Sequence, residues 1–363
     1  MTTTRLTEPF ELGSLSLSNR VVMAPMTRSF SPTGVPGEDV AAYYRRRAEG
    51  GVGLIITEGT YTGHKASGDS THVPHLAGDK ALAGWKRVTD SVHEAGGKIA
   101  SQLWHIGLRM PARLNRNPDV KLMGPSGLGG DGTMISEPMS DSDIADVIAY
   151  YGRAAGNAKA VGFDAVELHA GHGYLIDQFF WDVTNRREDG YGGDYLARTR
   201  FAAEVVAAVR GAVGPDFPIS FRFSQWKIGN YAAKLAPTPA ELGKLLEPLI
   251  LAGVDIFHCS TRRYWEPEFE GSDLNLAGWT KKVTGKPTIT VGSVGLSSEF
   301  TDRDSVANHT GIEKLEEMLA RGDFDLVAVG RALLADPLWL KKTLAGDKEN
   351  LVPFHVDLQQ TLY

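Results

Sequence analysis

The sequence predicts an α/β fold, a (β/α)8 TIM barrel with an N-terminal β-hairpin plug, and three observations carry that prediction. Short apolar runs rich in Val, Ile and Phe recur along all 363 residues, and most precede a longer segment of helical period. The connections into the runs are abrupt, while those leaving them are long and rich in Gly, Pro and aromatics. That asymmetry suits a barrel, whose chemistry sits on the loops at the C-terminal ends of its strands.

Eight runs are present, at 20–25, 53–57, 98–103, 164–169, 218–223, 255–259, 287–291 and 325–329. Helices are expected at 82–95, 142–161, 195–213, 238–251, 311–320 and 337–344. Glu94-Ala-Gly-Gly, Val161-Gly-Phe-Asp and Ala252-Gly-Val-Asp each join a helix-stop signal to a small turn. The long segments follow strands, at 104–140, 224–237 and 260–276. Ahead of the first run, residues 10–12 and 15–17 flank Gly13-Ser14 as a hairpin that would plug the barrel floor. An open doubly wound sheet needs fewer strands and normally a Gly-x-Gly-x-x-Gly turn after the first, which 20–27 lacks. The expectation is one domain over 1–363, with the barrel at about 19–345 and a C-terminal tail at 346–363.

Composition narrows the function classes. A net charge of -6, with no Lys/Arg run built to neutralise a phosphate backbone, gives no field for nucleic acid. Cys259 is the one cysteine, so this chain alone forms no disulfide framework, thiolate metal site or iron-sulfur cluster. No stretch has the length and apolarity to span a bilayer, and the first residues lack a signal peptide's apolar core, so the expected setting is the cytoplasm. Neither a monomer nor a homo-oligomer is favoured.

Residues two apart in a strand share a face. On that basis Glu167 and His169, Ser220 and Arg222, and Gln102 with Trp104 point to the barrel axis. A plain core would carry Val or Ile there. Glu167 and Arg222 are expected to pair as buried charges, whereas Gln102, His169 and Arg222, nearer the strand ends, are expected to meet a ligand.

His169-Ala-Gly-His172-Gly-Tyr174 follows the fourth run directly. Two adjacent imidazoles can donate two hydrogen bonds to one oxygen, as polarising a carbonyl or nitro group requires. Tyr174, an ordinary phenol with a pKa of about 10, stays protonated at neutral pH and can give up a proton. Two other readings stand beside this one. A zinc site would need a third ligand, and neither His-Glu-x-x-His nor a nearby cysteine supplies it, so no metal is expected. A structural hydrogen-bond network is the other. In the last two βα units, Gly292 and Ser293, then Gly330 and Arg331, stand where barrels bind phosphate. A phosphate there and a polar Thr27, Gln102 and Arg222 group across the mouth fit a flat mononucleotide such as FMN.

Together with the motifs quoted next, these residues make the chain resemble the Old Yellow Enzyme family of FMN-dependent ene-reductases over about residues 8 to 345. The motifs are Asn19-Arg-Val-Val-Met-Ala-Pro-Met-Thr-Arg28, Thr57-Glu-Gly-Thr60, Gln102-Leu-Trp-His-Ile-Gly107, Glu167-Leu-His-Ala-Gly-His-Gly-Tyr-Leu175, Arg187-Glu-Asp-Gly-Tyr-Gly-Gly193 and Val329-Gly-Arg331. The resemblance implies that Pro25, Thr27, Gly59 and Gln102 line the flavin's pyrimidine and N5 edge, with Thr27 at O4 tuning its potential. His169 would share in flavin binding, Arg222 would sit at N1 and O2, and Gly292, Ser293, Gly330 and Arg331 would take the phosphate. His169 and His172 would hold the substrate oxygen, with Tyr174 as proton donor. NADPH or NADH would reduce the flavin, and an enone or nitro-type small molecule would then take hydride from N5 at its β-carbon.

Departures from the family's pattern bear on the substrate. The stretch after Arg222 runs Phe-Ser-Gln-Trp-Lys-Ile-Gly-Asn-Tyr, and Ser29 stands where some relatives have an aromatic. Trp104, Tyr264 and Trp265 are expected as substrate-wall residues, with ordinary packing as the other reading, and Cys259 as a core filler. Arg187 to Gly193 is expected to scaffold a helix entry. The alternatives are a non-redox phosphate-ligand-binding barrel, for which no inward Schiff-base lysine is evident, and a dienoyl-CoA-reductase-like flavoenzyme, whose further parts have no counterpart after Leu344.

Overall fold

The structure is a computed structural model and describes residues 4–108, 117, 119–302 and 306–363. Eight parallel strands close a barrel: β3 (Val21–Met23), β4 (Leu54–Tyr61), β5 (Ile99–Trp104), β6 (Ala165–His169), β7 (Ile219–Phe223), β8 (Ile256–Ser260), β9 (Thr288–Val291) and β10 (Leu326–Val329), with β10 pairing back onto β3. Each coincides with one of the eight apolar runs. The antiparallel hairpin β1 (Phe10–Leu12) and β2 (Leu15–Leu17) precedes them.

The hairpin seals the N-terminal end of the barrel. Leu15 and Leu17 pack into a layer with the inward-facing Leu54, Ala100, Ala165, Ile256, Ile289 and Leu326, and Phe10 and Leu12 lie against it. Gly13 sits at φ 56° in the turn, where a Cβ would lie 2.5 Å from the Asp216 carbonyl oxygen, so the turn can nestle onto the loop before β7. Outward-facing Val166, Leu168, Phe221 and Phe257 join the helices in the larger outer core. The faces assigned by alternation are the faces observed on β6 and β7 and for Gln102 of β5.

Helices cover the barrel: α1 (Glu38–Glu49), α2 (Asp79–Glu94), α3 (Asp141–Ala160), α4 (Leu175–Phe180), α5 (Tyr195–Val213), α6 (Pro239–Ala252), α7 (Leu276–Thr284), α8 (Glu313–Arg321), α9 (Arg331–Ala335) and α10 (Trp339–Leu344). Their starts are written in the sequence. Ser140 and Asp143 form a capping box on α3, Asp194 caps α5, and Thr238 with Pro239 opens α6. The expected 337–344 helix is α10, and α9 comes before it. α1, α4, α7 and α9 were not expected. α1 carries Arg47 within the buried stripe formed by Val40, Tyr43, Tyr44 and Ala48, and Arg47 donates to the carbonyls of Tyr43, Leu333 and Leu334. α4 and α7 are short, at 6 and 9 residues. No helix among the described residues is long and apolar enough to cross a membrane.

Two sequence expectations on loops can be placed. Arg187 donates to the carbonyls of Pro125 and Met139 and pairs with Asp189, and α5 begins at Tyr195, just beyond this stretch. The long segment 104–140 lies in part outside the described residues.

Leu17 is buried between hairpin and barrel floor. Leu17→Ala should lower unfolding free energy by about 2–5 kcal/mol, read as a lower urea midpoint at unchanged slope. A loss under about 0.5 kcal/mol, the range of ordinary surface changes, would mean that the hairpin does not pack as described.

Candidate active site

A cavity of about 430 Å³ opens at the C-terminal ends of the barrel strands. Eleven of the residues expected at a site lie on its wall: Pro25, Thr27, Gln102, His169, His172, Tyr174, Arg222, Gly292, Ser293, Gly330 and Arg331. They come from six strand ends, and barrel closure brings them together.

Four expected residues lie elsewhere. Gly59 belongs to an irregularity in β4, where the register with β5 shifts between Ile56 and Gly59. A Cβ on Gly59 would lie 2.6 Å from the Trp104 ring, so glycine is needed to let that ring in. Trp104 is buried between Tyr61, at 5.3 Å between ring centroids, and Tyr174, at 5.0 Å; it backs the cavity wall without forming it. Tyr264 has its ring in the outer core, and Trp265 packs edge-on against it at the surface. Residue type had suggested a substrate wall for these three aromatics, but the segments that carry them turn the rings away. Trp226, Ile228 and Phe300 line that side instead.

Below the cavity floor, Glu167 is fully buried on the barrel axis. Its carboxylate accepts from Gln102 Nε2 at 2.9 Å and Ser220 Oγ at 2.9 Å, and lies 2.8 Å from His258 Nδ1. Burial raises its pKa, but the charges and hydrogen bonds of His258, Arg222 and Gln102 outweigh that and hold the carboxylate below its ordinary range. Burial drives His258 toward the neutral form, which still donates through Nδ1. The expected Glu167–Arg222 ion pair is therefore corrected: the two interact through charge, while the hydrogen-bonded partner is His258. Arg222 stands one rung higher, and its Nη2 donates to Ser260 Oγ at 3.3 Å. Its buried Nε has no hydrogen-bond partner among the described residues. Burial lowers its pKa, yet an arginine remains a cation. A buried cation with an unused donor suits an electron-rich ring edge.

The His169, His172 and Tyr174 rings form one cluster. His169 lies 5.1 Å from His172 and 4.8 Å from Tyr174, nearly perpendicular to the first. The loop that presents them is held tightly. His172 takes φ 64°, unusual for a side-chain-bearing residue, and its amide donates to Ser224 Oγ at 2.9 Å. A Cβ on Gly171 would lie 2.9 Å from Ser224, so glycine permits this close crossing. Gly173 N–H donates to Asp177 at 2.6 Å, and Asp177 pairs with Lys227 at 2.7 Å in a site closed to solvent. Burial raises the Asp177 pKa against the pull of Lys227. Residue 227 also bridges to His172 through the backbone, so the pair fastens the clamp loop to the segment after β7. No third metal-ligating side chain joins His169 and His172 among the described residues.

At the opposite end, Gly292 at φ 146° and Ser293 at φ 53° follow β9, and Gly330 follows β10. Among the described residues, the amides of Gly292, Ser293 and Gly330 have no protein partner. A Cβ on Gly292 would lie 2.7 Å from the Thr261 carbonyl oxygen. These are the donors an anion needs at this end of a barrel. The Arg331 guanidinium donates to the carbonyls of Ser298 and Glu299 and so shapes this end as well. Phe354, Val356 and Gln359 of the C-terminal tail close the wall, with Arg28 donating to the Leu358, Gln359 and Thr361 carbonyls.

Two residues off the wall matter to it. Cys259 is core, and burial pushes its thiol to about 12. Glu58, from the Thr57-Glu-Gly-Thr motif, is buried and accepts the amides of Arg28 at 2.8 Å and Ser29 at 3.0 Å, fixing the turn that follows Thr27. Its role was not read from the sequence. Nor was that of Ser260, although alternation along Ile256, His258 and Ser260 puts it inward.

A sequence profile of the NADH:flavin oxidoreductase / NADH oxidase family matches residues 5–350. The chain belongs to this family. Its Old Yellow Enzyme resemblance is thereby borne out, and FMN with NADH or NADPH are the family's cofactors. The chain is 36% identical over 349 residues to an NADH oxidase of Thermoanaerobacter brockii, covering 94% of this chain and 50% of that protein. It is 32% identical to a metal reductase of Desulforamulus reducens, again covering 50% of it, so the chain spans about half the length of these two relatives. A putative 12-oxophytodienoate reductase 2 of Oryza sativa is 33% identical, with 92% of this chain and 85% of that protein covered. Among solved structures, morphinone reductase superposes with a TM-score of 0.78 at 31% identity, covering 95% of this chain and 90% of that one. The Old Yellow Enzyme homologue of Zymomonas mobilis gives 0.80 at 26%, covering 98% and 96%.

The family's FMN fits the residues present: unpartnered amides stand at one end of the cavity, and a buried cation with a spare donor stands toward the middle. Glu58 gives a pH test of the wall. Burial raises its pKa from 4.5 to about 7, against the amides of Ser29 and Arg28. Between those values the folded protein keeps a proton that the unfolded chain has released, so stability falls as pH rises through this window. Glu58→Gln keeps an acceptor for both amides and should flatten that fall, by on the order of 1–3 kcal/mol, in urea titrations at pH 4.5 and 8. An unchanged slope would show that Glu58 titrates normally.

Proposed function

We propose that the chain is an FMN-dependent ene-reductase acting on α,β-unsaturated carbonyl or nitro compounds. The observation that carries the reading is one cavity with the Gly292, Ser293 and Gly330 amides, which have no protein partner among the described residues, on one side and the His169, His172 and Tyr174 cluster on the other. Thr27, Gln102 and Arg222 lie between them. The reading is supported by relatives named as 12-oxophytodienoate reductases and a chanoclavine-I aldehyde reductase. The cytoplasm is the compartment it favours.

FMN, when bound, supplies the hydride that NADH or NADPH delivers to it. Everything else falls to the chain. Backbone amides of Gly292, Ser293 and Gly330 would hold the phosphate, and Arg222 would present its positive charge to the ring edge. Thr27 and Gln102 hydrogen-bond the ring edge, with Gln102 held in place because Glu167 accepts one of its N–H groups. His169 and His172 donate to the substrate oxygen. This lowers the energy of the enolate-like or nitronate-like charge that develops as the β-carbon gains hydride. Tyr174 donates its phenolic proton to the α-carbon and recovers one from solvent through the open cavity.

Purified protein reconstituted with FMN should be yellow, bleach anaerobically with NADPH or NADH, and recolour on adding 2-cyclohexenone. A protein that takes up no FMN would end this reading. Replacing both His169 and His172 with Ala should weaken p-hydroxybenzaldehyde binding by about 10²-fold, as expected for losing two donors to one oxygen, while FMN stays bound. Tyr174→Phe should slow reoxidation by cyclohexenone by about 10²-fold and leave reduction by nicotinamide unchanged. Equal slowing of both half-reactions would remove Tyr174 from the proton-donor role.

A further inference from the structure

Ser260 is the last residue of β8, buried at the cavity wall, and nothing in the motifs assigns it a role. It faces inward by the same alternation that turns Ile256 and His258 to the axis. Its hydroxyl touches two groups: His172 Nε2 at 2.8 Å and Arg222 Nη2 at 3.3 Å. Its carbonyl accepts Trp226 Nε1–H at 3.1 Å, and the Trp226 ring stacks on His172 at 4.4 Å between centroids and 26° between planes. One residue thus holds both the edge and the face of the His172 ring.

The proton arrangement follows from what each group can do. Arg222 carries donors only, so Ser260 Oγ accepts from it. The hydroxyl has one proton to place, and among the described residues His172 Nε2 is the acceptor within reach. If Nε2 carried a proton instead, two donors would converge on Ser260 and its own proton would be left unpaired in a buried site. We propose that Ser260 is a positioning residue that fixes His172 as the Nδ1–H tautomer, making Nδ1 the donating nitrogen of the substrate-oxygen clamp. It also links that clamp to Arg222, through a hydroxyl that accepts from the arginine and donates to the imidazole. Polarisation along such a chain strengthens each bond.

This inference rests on the proposed function in one respect, that His172 donates to the substrate oxygen. The test is ring ¹⁵N NMR of the FMN-loaded protein labelled at histidine, with His172 assigned by loss of its signals in His172→Ala. The expected result is an unprotonated, hydrogen-bonded Nε2 and a protonated Nδ1 in the parent protein. In Ser260→Ala, the Nε2 resonance should shift to that of an imidazole without its donor, and p-hydroxybenzaldehyde should bind about tenfold more weakly. Ser260→Thr, which keeps the hydroxyl, should restore both. A protonated Nε2 in the parent protein overturns the proposal whatever the variants do. So does a Ser260→Ala protein with FMN bound whose His172 spectrum and phenol affinity match the parent. If the parent itself binds FMN but no phenol or enone, the failure belongs to the proposed function; the tautomer measurement still decides the role of Ser260.

Discussion

The site depends on one buried negative charge. A closed parallel barrel turns every second strand residue onto its axis, and in this chain Glu167 occupies that axis with no access to water. An ionised carboxylate in such a place is destabilising unless its oxygens are satisfied. Three strands supply what it needs: Gln102 from β5, Ser220 from β7 and His258 from β8. Meeting that requirement orients the floor of the cavity. The Gln102 amide nitrogen is committed to Glu167, and the Arg222 cation one rung above has a counter-charge near enough to keep it buried.

On this rigid floor the loops do the positioning. The clamp loop after β6 is tied by the Ser224 hydroxyl, by a backbone bridge at residue 227 and by the Lys227–Asp177 pair. The turn after β3, which carries Thr27, is tied by Glu58 from β4 and by Arg28 to the carbonyls of the tail. Both tethers are polar groups closed off from solvent, and both hold backbone that a loose loop would not hold, including His172 in the left-handed region. Preorganisation of this kind puts donors in place before a ligand arrives, so little reorganisation is left for the reacting state.

Much of this was legible in the sequence, and what was not has identifiable causes. Strand alternation is a backbone property, so it placed Gln102, Glu167, His169 and Arg222 on the axis without any knowledge of neighbours. It gives the face but not the partner, which is why Glu167 was matched to Arg222 when His258, two strands over, lies closer. Glycines were read as ligand contacts, yet Gly59 is small because Trp104 lies over it. Tyr264 and Trp265 were assigned by residue type, and their placement follows a loop path that no local pattern encodes, while Trp104 was given the axial face by alternation but, as the last residue of β5, packs its ring between Tyr61 and Tyr174. α1 went unseen because Arg47, buried on the carbonyls of a helix nearly three hundred residues away, breaks its apolar stripe. Lys227 and Ser260 matter through tertiary contacts, although applying the same alternation to β8 would have turned Ser260 inward.

The proposed chemistry requires FMN to lie in the cavity above Glu167, with its phosphate on the loops after β9 and β10. A crystal structure of the FMN-reconstituted protein tests this directly. The predicted result places the phosphate within hydrogen-bond distance of the Gly292, Ser293 and Gly330 amides, and the ring between Thr27, Gln102 and Arg222, with His169 and His172 over its exposed face. FMN bound at another surface, or in this cavity with its phosphate toward the His169 and His172 cluster, would contradict it.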